Sequence, residues 1–329
     1  MQKLDDVTKK INGRKILVVG DIIADVYLDG RISRISREAP VLILEEEGRK
    51  IVAGGAANVV ANIATLGGEV YVVGVVGDDF NGESLRNILR EHDVHIEGIV
   101  MDKTRPTISK TRVIAGGRAT VSQQIVRIDK ESKDPLSKKM EAALIAKLDK
   151  ILPLVDGIVL SDYGSGTITN AVKKLVIRHA GQNKVPSMVD SRYNIGEFSG
   201  VGFAKQNDTE LAAFVGHPVN DMTSLIEAGT ELLKKLNAHG VLITRGEYGM
   251  SLFERGGAVH HIPVADRSEV FDVSGAGDTC VAAFILCLTA AFSPTVSARV
   301  ANYAAGIAVR KLGTSTVNFI ELDKVLERV

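Results

Sequence analysis

A glycine-rich turn running into a wholly apolar segment limits what this chain can fold into. Residues 271–279 read Phe-Asp-Val-Ser-Gly-Ala-Gly-Asp-Thr, and residues 280–288 follow with nothing charged. Nine apolar residues after such a turn read as a helix buried on all sides, which needs layers of structure around it. The first turn of a helix leaves backbone N–H groups without internal partners and carries partial positive charge. Gly275, Ala276 and Gly277 have almost no side chain to keep an anion from those groups. One carboxylate, Asp278, stands among them. It reads either as an ordinary first-turn acid or as a proton acceptor beside a phosphate, and the flanking Asp272 and Thr279 favour the second.

The rest of the chain supplies the layers. Residues 16–21, Ile-Leu-Val-Val-Gly-Asp, form a short apolar run closed by glycine, as in a buried parallel strand. Gly54-Gly55-Ala56-Ala57-Asn58 opens a helix through Leu66, ended by Gly67-Gly68. A strand over 70–76 precedes a helix to about His92. Helices are expected over 136–151, 169–179, 209–215, 223–236, 278–291 and 295–310, and strands over 157–160, 187–190, 202–204, 240–244, 249–253 and 259–264. This alternation implies an α/β protein with a mostly parallel central sheet covered on both faces. Two β segments interrupt it, about 26–51 and 107–129, the second broken by Gly116-Gly117 at a hairpin turn. They are expected to form a small lid, giving one domain over 1–329 with a discontinuous β lid.

Composition removes several function classes. Lys plus Arg and Asp plus Glu number 40 each, so no net field recruits nucleic acid or an anionic membrane. The apolar run from 280 to 292 is too short to span a bilayer, which takes about 20 residues. The first residues lack a signal-peptide core, so a cytoplasmic location is expected. Cys280 and Cys287 sit about 10 Å apart on one helix, beyond disulfide reach, and read as packing residues. The seven histidines show no zinc pattern. There is no P-loop, no complete Gly-x-Gly-x-x-Gly after the first strand and no Gly-x-Ser-x-Gly elbow.

The two glycine motifs, 54–58 and 272–279, resemble the signature regions of the ribokinase-like (PfkB) carbohydrate kinases, and the element order agrees over nearly the whole chain. The resemblance implies a three-layer α/β/α sandwich and ATP-dependent phosphorylation of a sugar hydroxyl. Within the family, 19–21 with Asp25, 33–41, 123–129, 160–163 and 311–316 resemble the kinases of D-glycero-β-D-manno-heptose 7-phosphate, which act at C1 in ADP-heptose synthesis. Some of those are fused to a nucleotidyltransferase. Without a His-x-Gly-His, this chain is expected to correspond to the kinase alone.

The resemblance also implies roles. Asp278 is the base, with the amides of Gly275, Ala276 and Gly277 around the transferred group. Asn207 and Glu210, from Asn-x-x-Glu, organise Mg²⁺ through water, although the same spacing caps a helix. Thr244, Gly246, Glu247 and Asn302 contact the nucleotide. Asp25, Gly54, Gly55, Asn58 and Asp162 bind sugar hydroxyls, while Arg34, Lys110, Arg112 and Arg127 are cations for the sugar's own phosphate. Asp272 and Ser274, near Gly313, resemble a monovalent-cation site, for K⁺. Two positions depart from the family pattern: Ser165 and Arg192 stand where it usually has lysines, and Arg192 matches lysine in charge but not in shape. A kinase for another sugar, sugar phosphate or nucleoside, or a non-catalytic sugar-phosphate sensor, is the alternative. A homodimer through the lids is expected, because exposed strand edges otherwise stay open.

Overall fold

The computed structural model describes residues 4, 6–116, 122–132, 134–265 and 270–328. The first strand, β1 (Lys15–Gly20), is apolar on both sides. Ile16 and Val18 enter one hydrophobic core, Leu17 and Val19 another. A strand with no polar face belongs in the middle of a covered parallel sheet, and β1 lies there.

A short helix, α1 (Val7–Ile11), precedes β1. The hairpin β2 (Ile22–Ile35) and β3 (Leu42–Gly55) leaves the main body, and α2 (Ala56–Thr65), β4 (Glu69–Gly77), α3 (Phe80–Glu91) and β5 (His95–Asp102) return to it. Next, β6 (Ile108–Gly116) and β7 (Gln123–Lys130) go out to join the hairpin. The chain then alternates through α4 (Lys138–Ile151), β8 (Gly157–Asp162), α5 (Asn170–Asn183), β9 (Ser187–Ser191), β10 (Phe203–Asn207), α6 (Asp208–Val215), α7 (Met222–Leu236) and β11 (Gly240–Thr244). It closes with β12 (Met250–Glu254), β13 (Val259–Ile262), α8 (Ala276–Thr289), α9 (Pro294–Ala308) and α10 (Phe319–Leu326).

The main sheet has nine strands in the order β13-β12-β11-β10-β9-β8-β1-β4-β5, antiparallel only at β12 and β13. Strands after β1 first build outward through β4 and β5, then on the other side from β8. The order therefore reverses at β1 and β8, and a crevice opens at their carboxyl ends, where such sheets bind ligands. A second sheet, β3-β2-β6-β7, is built from the two interrupting segments. Helix α8 is buried from Asp278 to Cys287 and packs against α2 and α9. Both cysteines are free and buried within it.

Three elements escaped the sequence. Strand β5 is an edge strand whose polar residues follow no strict alternation. Helix α1 is five residues long. Helix α10 follows the two helices expected to finish the fold, and its signal was present: Asn318 and Glu321 form a reciprocal capping box. The long hairpin strands also begin and end nearer the core than expected, at Ile22 and Gly55, so Gly54 and Gly55 close β3 before α2 starts. Gly117, half of the expected hairpin turn, lies outside the described residues.

Candidate active site

The site grows from the tip of α8. Gly275 is the N-cap, with φ +81°, a left-handed conformation that glycine adopts without strain. A side chain there would also collide, since a Cβ would stand 2.7 Å from Asn58 Nδ2. Asp278, three residues on, is 7% exposed. Asn58 Nδ2 donates to its Oδ2 at 2.7 Å, and the Tyr163 hydroxyl donates to its Oδ1 at 3.1 Å. Burial pushes the Asp278 carboxyl up to about 7, with Asp190 adding repulsion, while Asn58, Lys205 and Tyr163 pull the other way. The carboxylate is thus oriented by a donor on each oxygen and titrates near neutral pH, the range that suits a proton acceptor.

Asn58 is held in turn. Asn62 Nδ2 donates to the Asn58 carbonyl and side-chain oxygens at 3.0 and 3.1 Å, and Thr279 Oγ1 donates to Asn62 Oδ1 at 2.9 Å. Sequence reading overlooked Asn62, although two asparagines four apart in an otherwise apolar helix were a visible anomaly. It also gave no role to Asp21, which is fully buried and accepts from the backbone N–H groups of Tyr163, Ser165 and Thr167. Those three bonds fix the loop that delivers Tyr163 to Asp278. Replacing Tyr163 with Phe removes a donor that favours the ionised carboxylate. The acid limb of the kcat/KM profile, where activity is lost as pH falls through the Asp278 pKa, should then move to higher pH, by about half a unit to one unit. An unmoved limb would show that the phenol does not act on the base.

The carboxyl ends of the neighbouring strands complete the floor. Asp162 is buried, accepts from Ser191 Oγ at 2.6 Å and from the Gly164 N–H at 3.0 Å, and has its pKa raised chiefly by burial. Its carboxylate is occupied within the strand ends, a role the sequence had not anticipated. Asn207 and Glu210 form a complete capping box at α6, with Glu210 N–H to Asn207 Oδ1 at 2.7 Å and Asn207 N–H to Glu210 Oε2 at 2.9 Å. The cap and a metal role are compatible, because the box uses Oε2 and leaves Oε1. Burial, then Asp190, raises the Glu210 pKa against the pull of Lys205. Among the described residues no three His, Cys, Asp or Glu side chains converge on a metal. Oxygen donors on so few side chains suit Mg²⁺, which keeps most of its waters.

Of the residues expected to contact a nucleotide, Thr244 ends β11 directly opposite Asn207 of β10. Gly246 and Glu247 belong to the single 3₁₀ turn that follows. Asn302, on α9, donates to the Pro263 carbonyl at 2.7 Å and so ties α9 to the end of β13.

The small sheet contributes through Asp25. Gly54 must be glycine because a Cβ would meet Asp25 Oδ2 at 2.5 Å. Arg112 Nη1 donates to Asp25 Oδ1 at 2.6 Å and Thr314 Oγ1 to Oδ2 at 3.2 Å. The strand register sets Lys110 opposite both Asp25 and Asp129, and Arg112 opposite both Tyr27 and Arg127. Lys50 pairs with Tyr27 and joins this face, unnoticed in the sequence. Arg127 is engaged by Asp129 through Nε at 2.9 Å and Nη2 at 3.0 Å. Arg34 is not brought here: it is exposed, nine residues beyond Asp25 on β2, about 30 Å of extended chain. Arg192 is exposed, its guanidinium 5.7 Å from the ring centre of Tyr193. Asp272 accepts from the Ser274 N–H at 2.8 Å and the Gly313 N–H at 3.0 Å, so both of its oxygens hold the loop before α8.

Comparison with known proteins identifies the family and the fold. A model of the pfkB family of carbohydrate kinases matches residues 14–320. The bifunctional protein HldE of Pelobacter propionicus is 40% identical over 317 residues, covering 96% of this chain and 64% of its own length. That of Geobacter metallireducens is 42% identical over 307 residues, covering 93% and 61%. The chain thus spans slightly under two-thirds of these curated relatives. Among solved structures, Arabidopsis thaliana ribokinase complexed with ribose and ATP superposes with a TM-score of 0.74 at 20% identity, covering 96% of this chain and 99% of that one. Escherichia coli phosphofructokinase-2 in complex with substrates and products gives 0.75 at 19% identity with the same coverage. The structural likeness establishes the ribokinase-like fold. The family match, over nearly the whole length, places the sequence as well: the chain belongs to the pfkB family of carbohydrate kinases.

Proposed function

We propose that the chain is an ATP-dependent kinase that phosphorylates the C1 hydroxyl of D-glycero-β-D-manno-heptose 7-phosphate, giving the 1,7-bisphosphate for ADP-heptose synthesis in the cytoplasm. The observation that carries this reading is Asp278, buried and doubly held at the glycine-rich tip of α8. Asp278 accepts the proton of the sugar hydroxyl as its oxygen attacks the γ-phosphorus of ATP. The N–H groups of Gly275 and Gly277 hold the charge that gathers on the transferred group, while that of Ala276 donates to the Val273 carbonyl at 3.3 Å and closes the turn. Phosphoryl transfer requires mainly positioning and charge stabilisation, which this tip supplies. Mg²⁺ neutralises nucleotide phosphates when bound, and Glu210 with Asn207 would hold its waters. For K⁺ the fit is poorer, since the Asp272 oxygens are already engaged, and no role is assigned to it.

The cationic face of the small sheet favours a sugar that already bears a phosphate. Lys50, Lys110, Arg112 and Arg127 share it, and the domain is read as one unit with this sheet as its lid. On its opposite face Val26 and Val113 are buried within the protomer, but Val126 is 47% and Ile128 57% exposed; a homodimer through the lids covers these two. A non-catalytic sensor has no need of an oriented base, which argues against that alternative.

The test is ADP formation across heptose 7-phosphate, fructose 6-phosphate, ribose and adenosine. Turnover is expected with heptose 7-phosphate in preference to the unphosphorylated acceptors; turnover with adenosine alone would overturn the substrate assignment. Arg112→Met should raise KM for the sugar phosphate about 10- to 100-fold, in line with the loss of a charge-assisted contact, with a smaller change in KM for ATP. Equal effects on both KM values would remove Arg112 from the sugar side.

A further inference from the structure

Strand β10 carries a lysine that sequence reading passed over. Lys205 lies between Asp190 of β9 and Leu242 of β11 in the middle of the parallel sheet, and it is 5% exposed. Lysine is almost never buried to that degree unless paired. Its Nζ donates to Asp190 Oδ2 at 2.9 Å. The ammonium also rests against the α8 tip, since a Cβ on Gly277 would lie 2.8 Å from Nζ. Burial opposes the charge, but Asp190 and Glu210 outweigh it and hold the Lys205 pKa above its usual range. It is therefore a cation throughout the pH range of an enzyme assay.

Packing alone is a weak reason for this arrangement, because a buried ion pair is often no more stabilising than apolar residues of similar volume. Two other cations near these strand ends are placed elsewhere. Arg192 is exposed over Tyr193, and Arg112 is paired with Asp25. Asp190 accepts one hydrogen of an ammonium that has three, which leaves donors for an anion at the helix tip.

We propose that Lys205 is a further catalytic residue, whose ammonium contacts the phosphoryl group as it passes from ATP to the sugar. The proposal rests on the kinase reading above. In that step the sugar oxygen loses its proton to Asp278 and forms the new O–P bond. The bond from the γ-phosphorus to the bridging oxygen breaks, and its electron pair stays on ADP. Lys205 transfers no proton; it balances the charge on the phosphoryl oxygens and on the departing ADP.

The test compares the full chain with Lys205→Met and Lys205→Arg, measuring kcat, both KM values, ADP affinity and the tightening of ADP binding by fluoroaluminate in the presence of the sugar phosphate. Lys205→Met should lower kcat about 100-fold or more, the scale of losing one preorganised electrostatic group, with KM values and ADP affinity within about threefold. It should also abolish most of the fluoroaluminate effect, which a purely structural lysine would leave intact. Lys205→Arg should recover part of both. Should Lys205→Met fail to fold because Asp190 is left unpaired, Asp190→Asn combined with Lys205→Met serves in its place, with the same losses expected. A kcat within about threefold of the parent in a folded variant, or an unchanged fluoroaluminate effect, overturns the proposal. Absence of ADP formation by the parent chain with every sugar tried would instead overturn the kinase reading, before any variant is made.

Discussion

Replacing Asp278 with Asn should lower kcat about 10³- to 10⁴-fold while leaving ATP affinity close to the parent value, the range that loss of a general base produces. The amide is nearly the same size; its oxygen can accept from Asn58 Nδ2 and its NH2 can donate to the Tyr163 hydroxyl oxygen, so the site keeps its shape. What disappears is the capacity to take a proton. The same substitution should stabilise the fold at pH 8, and the sign follows from linkage. Burial raises the native carboxyl to about 7, above its ordinary value of 3.8. The native state therefore binds this proton more tightly than the unfolded chain does. The associated stability is full below pH 3.8 and is lost as pH rises through 7. At pH 8 the parent carries a buried carboxylate at a cost, and the amide does not. A higher Tm with lost turnover separates a strained catalytic acid from a structural one, in which activity and stability fall together. Near-normal turnover in this variant would remove Asp278 from the base role.

A single methyl group at Gly275 should also be damaging, though less so. Alanine at φ +81° is strained by about 1–2 kcal/mol. The methyl also lands 2.7 Å from Asn58 Nδ2, the group that holds Asp278 Oδ2. Asn58 is fixed by Asn62 and cannot simply step aside. Gly275→Ala should therefore lower kcat about 100-fold through misplacement of the base, with a loss of a few degrees in Tm. Gly216→Ala is a suitable comparison, since Gly216 also has positive φ, at +76°, but a Cβ there meets nothing within 4 Å. Equal kcat losses in the two variants would show that backbone strain, and not the Asn58 contact, is responsible.

The parts of the site legible in the sequence are those made by backbone geometry. A glycine-rich tip before a buried helix can be read because few residues tolerate that conformation and that crowding. The parallel sheet could be read for a similar reason: β1 has no polar face and must be covered twice. Side-chain partnerships were less legible. Tyr163 reaches Asp278 only because Asp21 holds the intervening loop, a link between residues 142 apart in the case of Asp21 and the Tyr163 N–H. Lys205 was invisible for the opposite reason. A lone lysine in a strand normally reads as a solvated charge, and only the position of α8 over β10 shows that it is buried. Arg34 shows the converse error: a plausible cation on a lid segment, placed by strand length well away from Asp25.

The most direct measurement is a crystal structure of the chain with magnesium and a non-hydrolysable ATP analogue. The account predicts the γ-phosphate within about 3 Å of the backbone nitrogens of the Gly275–Gly277 turn, with Asp278 facing the open side toward Asp25. A triphosphate bound with its terminal phosphate away from that turn would contradict it.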